Sequence, residues 1–421
     1  MTTVVESVFT WAAPPLKFGE GALDEIGGDA RALGMTRCLV LTDAGVARTG
    51  IPDRVRDRVR AAGISCEVYD EVVVEPTDVS IADAVSWARH GGWDGFVAVG
   101  GGSVIDTAKA VNLLTTQPGE LTDYIVPPLG AGRTPAAPLC PLIAVPTTAG
   151  TGSESTTICV VDLLSLHLKA GVSHAALRPS MAVVDPTMTY SLPPEVTASS
   201  GMDVLCHAVE SYTAKPFNAK PKAEDPAKRP AFCGSNPISD HWCEKAIELV
   251  AAGLRRAVAD GGDREARYTM ALASTYAGTG FGNAGTHLPH ANAYPIAGAV
   301  RDYRADGYPE MPMVPHGQAV SATAPAVFRW TYEADPVRHQ RVASLLTGSV
   351  VTAADGPGVV AEAMDALCRD IGMPKGLRAF GYDERDVPVL VDGTLKQTRQ
   401  MGVVPRRVDR AALEGIFTAS L

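Results

Sequence analysis

Two hydrophobic periods divide this chain. Up to about residue 190, short apolar runs at 37–42, 65–69, 95–99, 142–145 and 181–184 have the length and β-branched content of buried strands. Helical patterns at 51–63, 79–90 and 104–114 fall between them. Strands spaced by helices predict a mainly parallel sheet covered on both faces. After Asp185-Pro186 the period changes. Ala- and Leu-rich helical patterns run through 196–213, 239–259, 264–279, 317–332, 337–347, 356–371 and 408–420, with no further strand signal. The expectation is an α/β domain over 1–190 and an all-helical domain over 191–421. The proline- and charge-rich stretch 215–230 interrupts the helical half and predicts a long loop, either functional or a solvated insertion.

Glycines punctuate the first half at two strand ends. Gly100, Gly101, Gly102 and Ser103 close the third strand and open a helix, the geometry in which backbone N–H groups meet a phosphate. The spacing is not Gly-x-Gly-x-x-Gly, so a standard Rossmann turn is not indicated. Pro146-Thr-Thr-Ala-Gly-Thr-Gly-Ser-Glu154 follows another strand. One such cluster alone is more often a plain turn. Two at strand C-termini of one sheet argue for a ligand at that edge.

The second half holds Asp203 and His207, one turn apart on a predicted helix, with His290 and His316 further on. One carboxylate and three imidazoles suit a divalent first-row metal with a coordination position left for a substrate oxygen. An i,i+4 Asp–His pair is also a common helix-surface contact. His90, His167, His174, His241, His287 and His339 read as surface or packing residues.

Composition narrows the picture modestly. The 421 residues provide core material for two or three domains, and the formal charge of −10 argues against nucleic-acid or anionic-membrane partners. No apolar run reaches the ~20 residues of a membrane span. The eight cysteines are scattered without a Cys-x-x-Cys pair, as reduced thiols would be. The first residues carry neither a signal-peptide core nor an Arg-rich presequence, which predicts a cytoplasmic protein.

These motifs, in their order and spacing from about residue 17 onward, resemble the iron-containing (group III) alcohol dehydrogenase family. The likeness is nearest to its hydroxyacid–oxoacid transhydrogenase branch. The residues that carry it are Gly234-Ser-Asn-Pro-Ile-Ser-Asp240, His290-Ala-Asn-Ala-Tyr-Pro-Ile-Ala-Gly298, Val314-Pro-His-Gly317 and Ala324-Pro-Ala-Val-Phe328. The resemblance implies a Rossmann-like nucleotide-binding domain followed by a dehydroquinate synthase-like helical metal domain. It makes Asp203, His207, His290 and His316 ligands of a divalent metal, Fe2+ first and Zn2+ second. Gly100, Gly101, Gly102 and Ser103 become the pyrophosphate loop, with Asp106 capping its helix. Thr147, Thr148 and Gly152 fall beside the nicotinamide ribose and phosphates. Asp43 would accept from the adenosine ribose, favouring NAD(H), retained through turnover, over NADP(H).

The family commonly has a second histidine four residues after the third ligand; here Tyr294 stands in that place. Catalysis would centre on His290, with Tyr294 either beside the substrate or merely packed. The implied reaction passes hydride through the cofactor between a hydroxy acid and an oxo acid. 4-Hydroxybutyrate and 2-oxoglutarate would give succinate semialdehyde and 2-hydroxyglutarate. A conventional NAD-dependent alcohol or aldehyde dehydrogenase is one alternative, and a metal- and NAD-dependent lyase or cyclase on the same fold is another. A homodimer or larger homo-oligomer is implied too. Cations for substrate carboxylates, by position only, are Lys169, Arg178, Lys220, Lys222, Arg229 and Arg301.

Overall fold

The structure, a computed structural model, describes residues 5–166, 168–226 and 229–421. The expectation for His167, and that part of the predicted loop at 227–228, lie outside the described residues. The chain forms two units, Ala13–Ser191 and Leu192–Leu421, the second including the described residues up to Ala12.

The first unit contains β1 (Leu16–Phe18), α1 (Ile26–Ala32), β2 (Arg37–Asp43), α2 (Ala44–Ala47), α3 (Ile51–Ala61), β3 (Ser65–Val72), α4 (Asp78–Ala88), β4 (Gly95–Gly100), α5 (Gly102–Thr116), α6 (Leu121–Tyr124), β5 (Leu142–Pro146), β6 (Ile158–Leu163), β7 (Leu168–Ser173) and β8 (Met181–Val184). Six strands make one parallel sheet in the order β1-β8-β5-β4-β2-β3, and β6 and β7 form a separate antiparallel ribbon. In β4, Phe96 and Ala98 enter one apolar core while Val97 and Val99 enter another. Both faces of the sheet are therefore buried, which is why its strands read as unbroken apolar runs. The pattern misses β1, too short to show a period, and the β6–β7 ribbon, where Asp162 and Lys169 pair across the strands and break the apolar run.

The second unit is helical: α7 (Pro194–Thr213), α8 (Pro237–Ala259), α9 (Arg264–Ala284), α10 (Leu288–Gly298), α11 (His316–Thr331), α12 (Pro336–Thr347), α13 (Val359–Asp370), α14 (Val387–Leu395), α15 (Thr398–Met401) and α16 (Arg410–Ala419). The pattern missed α10, α14 and α15. α10 carries Pro289 in its first turn and Pro295 inside it, and its residues from Leu288 to Ile296 are buried all round. A helix without a polar face has no amphipathic period to detect.

The expected boundary placed the first residues with the sheet; the described ones belong with the helices. Val5 bridges Pro221, and the Asn283 side chain holds the backbone N–H and C=O of Ala12, both at 2.9 Å. Glu6 accepts from Arg229 Nε at 3.1 Å and from Ala223 N at 3.2 Å, fastening the 215–230 segment. The Arg229 guanidinium, with backbone N–H donors, holds the Glu6 carboxyl down at about 2. A carboxyl depressed in the folded state contributes above its ordinary value of 4.5 and loses that contribution as pH falls toward 2. In Glu6→Gln, hydrogen exchange of the Ala223 amide should be faster than in the parent at pH 6, with the difference closing between about pH 4.5 and 2. An equal difference at pH 2 would show that the carboxylate is not what holds the segment.

Candidate metal centre and nucleotide loops

Helix α7 places Asp203, His207 and Glu210 on one stripe at i, i+4 and i+7, all buried. Glycine brings α11 against it. A Cβ on Gly317 would lie 1.9 Å from the Ser199 carbonyl oxygen, so only glycine lets the first turn of α11 approach α7 this closely. That turn begins with His316. His290 comes from the first turn of α10.

The donors converge on Asp203 Oδ1. His290 Nε2 is 3.4 Å away, and His207 Nδ1 and His316 Nε2 are each 3.8 Å away. Ligand atoms of Asp203, His207 and His290 all lie within 4.8 Å of one another; His316 stands at the edge, its side chain 28% exposed. Two donors ~2.1 Å from one tetrahedral ion are about 3.4 Å apart, close to this spacing. Asp203 Oδ1 and His290 Nε2 are buried and make no hydrogen bond. Buried polar atoms without a partner are costly unless something else satisfies them, and a divalent cation fits this donor set.

Burial pushes the Asp203 carboxyl up, but His207, His316 and His290 outweigh it and hold it well below the carboxylate range. Burial pushes His290 down; Glu210 and Asp203 overcome that and raise it to about 9. Glu210, absent from the sequence expectations, is the orienting group. Its Oε1 lies 2.6 Å from His290 Nδ1, and its Oε2 accepts the His287 amide at 2.7 Å. With a cation bound, a proton kept on the Nδ1 side by Glu210 would leave the His290 Nε2 lone pair for the ion. The signal in the sequence was a third polar residue on the Asp203/His207 stripe. His207 stacks on Phe281, ring centroids 3.9 Å apart. Tyr294 is buried one turn beyond His290, and its Oη accepts from Arg399 Nη2 at 3.3 Å. His287 is fully buried, with Nε2 3.1 Å from Thr213 Oγ1.

In the first unit the two glycine-rich loops touch. Thr147 N donates to the Gly100 carbonyl at 3.0 Å, and a Cβ on Gly102 would lie 2.6 Å from the Thr151 methyl carbon. Gly101 sits against Thr148 and is the N-cap of α5, with no side chain capping that helix. Ser103 Oγ accepts from Glu75 N, and Gly152 takes a left-handed conformation at φ 58°. Asp43 Oδ1 caps α2 through Gly45 N and Val46 N.

Asp106 does not cap its helix, as expected above; it lies in the second turn of α5, beyond the cap position. Its carboxylate accepts from Ser153 Oγ at 2.5 Å and from Val160 N at 2.8 Å, tying α5 to the second loop. Beside it, fully buried Lys109 donates to Ser153 O, Ser153 Oγ, Thr156 Oγ1 and Ile158 O at 2.7–3.0 Å.

Among the proposed carboxylate-binding cations, Lys169 pairs with Glu75, Arg229 with Glu6 and Arg301 with Asp386. Arg178 donates to the Ser155 carbonyl. All eight cysteines are free thiols, and no helix among the described residues is long and apolar enough to cross a membrane.

Comparison with known proteins agrees with this geometry. The profile "Iron-containing alcohol dehydrogenase" matches residues 14–186, and "Fe-containing alcohol dehydrogenase family, C-terminal" matches 231–421. The chain is 45% identical to the mitochondrial hydroxyacid-oxoacid transhydrogenase of Xenopus tropicalis, over 99% of this chain and 91% of that protein. It is 44% identical to the Mus musculus protein of the same name, over 98% and 90%. Among solved structures, a 1,3-propanediol oxidoreductase superposes with a TM-score of 0.86 at 31% identity, covering 99% of this chain and 100% of that one. The sulfoacetaldehyde reductase from Bifidobacterium kashiwanohense, solved in complex with NAD+, gives 0.81 at 28% identity over 98% and 99%. The cytoplasmic expectation is corrected by these relatives, whose names place them in mitochondria. An import leader is removed from the mature protein, so the residues that build the fold carry no imprint of the compartment. With both halves matched by family profiles and the transhydrogenases aligned almost end to end, the chain belongs to the iron-containing alcohol dehydrogenase family.

Proposed function

We propose that this oxidoreductase is a hydroxyacid–oxoacid transhydrogenase that uses a divalent metal and a retained NAD(H). The observation that carries the reading is the convergence of three imidazoles on Asp203 Oδ1 at 3.4–3.8 Å, in a chain 45% identical to a transhydrogenase. Asp203, His207, His290 and His316 would hold the metal, with Fe2+ ahead of Zn2+ because the family is iron-containing; the donor set suits both. A bound metal supplies Lewis acidity to a hydroxyl or carbonyl oxygen, and a nicotinamide supplies hydride chemistry.

The chain does the positioning. Glu210 fixes the His290 ring, and the uncapped start of α5 with Gly100, Gly101, Gly102 and Ser103 presents N–H groups to a pyrophosphate. Thr147, Thr148 and Gly152 lie on the adjoining loop, where ribose and phosphate would be held. Asp106 serves this site from behind, by fixing that loop. Asp43 keeps Oδ2 clear of the helix cap, available to ribose hydroxyls and repelling a 2′-phosphate, which favours NAD(H).

The substrates that follow are 4-hydroxybutyrate and 2-oxoglutarate, giving succinate semialdehyde and 2-hydroxyglutarate. Metal-loaded protein incubated with both, without added nucleotide, should form the two products in equal amounts. Turnover only after NAD is added, with NADH accumulating from one substrate, would instead mark a conventional dehydrogenase. The homodimer or larger assembly included in this reading is checked by light scattering on the eluting protein.

A further inference from the structure

Arg399, on the short helix α15, is partly buried and pairs with no carboxylate among the described residues. Its guanidinium lies 5.2 Å from the centroid of the Phe232 ring, and its Nη2 donates to Tyr294 Oη at 3.3 Å. By contrast Arg229, Arg301, Arg338 and Arg406 all meet an acidic partner. A guanidinium has five donors in a planar fork matched to a carboxylate. Among the described residues that of Arg399 is held by one phenol and one ring face, which leaves most of those donors uncommitted.

Both supports of Arg399 connect to the metal centre. Tyr294 follows His290 by one turn of α10, about 6 Å along the axis. Phe232 packs against Gly285, whose N–H donates to the carbonyl of Phe281, the residue stacked on His207. Arg399 is thus linked to the helices that carry the proposed metal ligands, through Tyr294 on the His290 helix and through Phe232, Gly285 and Phe281 toward His207. A short-chain hydroxy acid needs this arrangement: one site for its oxygen, and a second for the carboxylate a few bonds away.

We propose that Arg399, oriented by Tyr294 and Phe232, binds the carboxylate of the hydroxy-acid and oxo-acid substrates and sets the preference for acids over neutral alcohols. The inference rests on the function proposed above and assigns Tyr294 a positioning role.

The test compares the metal- and NAD-loaded parent with Arg399→Lys and Arg399→Gln, taking kcat/KM for 4-hydroxybutyrate and for butane-1,4-diol, which lacks the carboxylate. Calorimetric titration of each protein with succinate, an unreactive dicarboxylate, gives a readout independent of turnover. In Arg399→Gln the acid-to-diol ratio should fall roughly 100-fold and succinate affinity should fall with it, while Arg399→Lys keeps part of both. A parent that prefers the acid, with the ratio unchanged in Arg399→Gln, overturns the assignment. A parent that does not oxidise the acid defeats the proposed function instead. The titration then decides alone: equal succinate binding by parent and Arg399→Gln overturns the role of Arg399, and weakened binding supports it. Matching thermal unfolding of the variants shows that the fold is intact.

Discussion

Exchanging His290 for alanine is expected to strip the protein of its metal and lower turnover by about 10³-fold, a loss of roughly 4 kcal/mol of transition-state stabilisation. The ring is central to the donor set, since its Nε2 is the imidazole nitrogen nearest Asp203 Oδ1 at 3.4 Å. Without it, two imidazoles at 3.8 Å remain around the carboxylate. Elemental analysis after dialysis should find the variant depleted and the parent loaded. Glu210→Gln gives the graded counterpart. Every donor stays in place, but the carboxylate that orients His290 is gone, so metal affinity should fall by about 10–100-fold. Equal metal content in parent and His290→Ala would remove His290 from the ligand set. Equal affinity in Glu210→Gln would reduce that residue to packing.

Lys109→Met is expected to be the most destabilising single change in the nucleotide-binding unit. Burial pushes Asp106 up and Lys109 down, each opposed by the other's charge 3.7 Å away. Losing the cation leaves that carboxylate buried without its partner, and four oxygens lose their donor. Breaking a buried pair from one side costs about 3–5 kcal/mol, or roughly 10 °C in unfolding temperature for a unit of this size. Because Ser153, Thr156 and Ile158 are the residues released, NAD binding should weaken as well. Asp106→Leu with Lys109→Met should recover part of the stability, since an apolar pair of similar volume removes the stranded charge. A double variant as unstable as the single one would locate the damage in the lost hydrogen bonds rather than in Asp106.

What the sequence reveals follows from which physical signals are local. The parallel strands are legible because burial on both faces makes 95–99 and 142–145 continuous apolar runs. The Asp203–His207 pairing is legible because it spans one helical turn. That His290 and His316 meet the same carboxylate is a tertiary fact, visible in the sequence only through the family resemblance. The helix bearing His290 and Tyr294 escaped the pattern because it is buried all round and holds two prolines. Asp106 was misjudged because capping depends on local position, whereas its partners, Ser153 and Val160, lie some fifty residues away. Arg399 carries no local signal at all: the role proposed for it rests on the lack of an acidic partner among the described residues.

The donors at residues 203, 207, 290 and 316 come from three helices of a single unit. An ion gripping all four would act as a cross-link, closing chain segments of very different length as a disulfide does. Since the unfolded chain cannot assemble that grip, each tenfold rise in free metal above the dissociation constant adds about 1.4 kcal/mol to the folded state. Metal supply would then set the lifetime of the protein as well as its rate, and a starved cell would lose the enzyme to proteolysis along with its turnover.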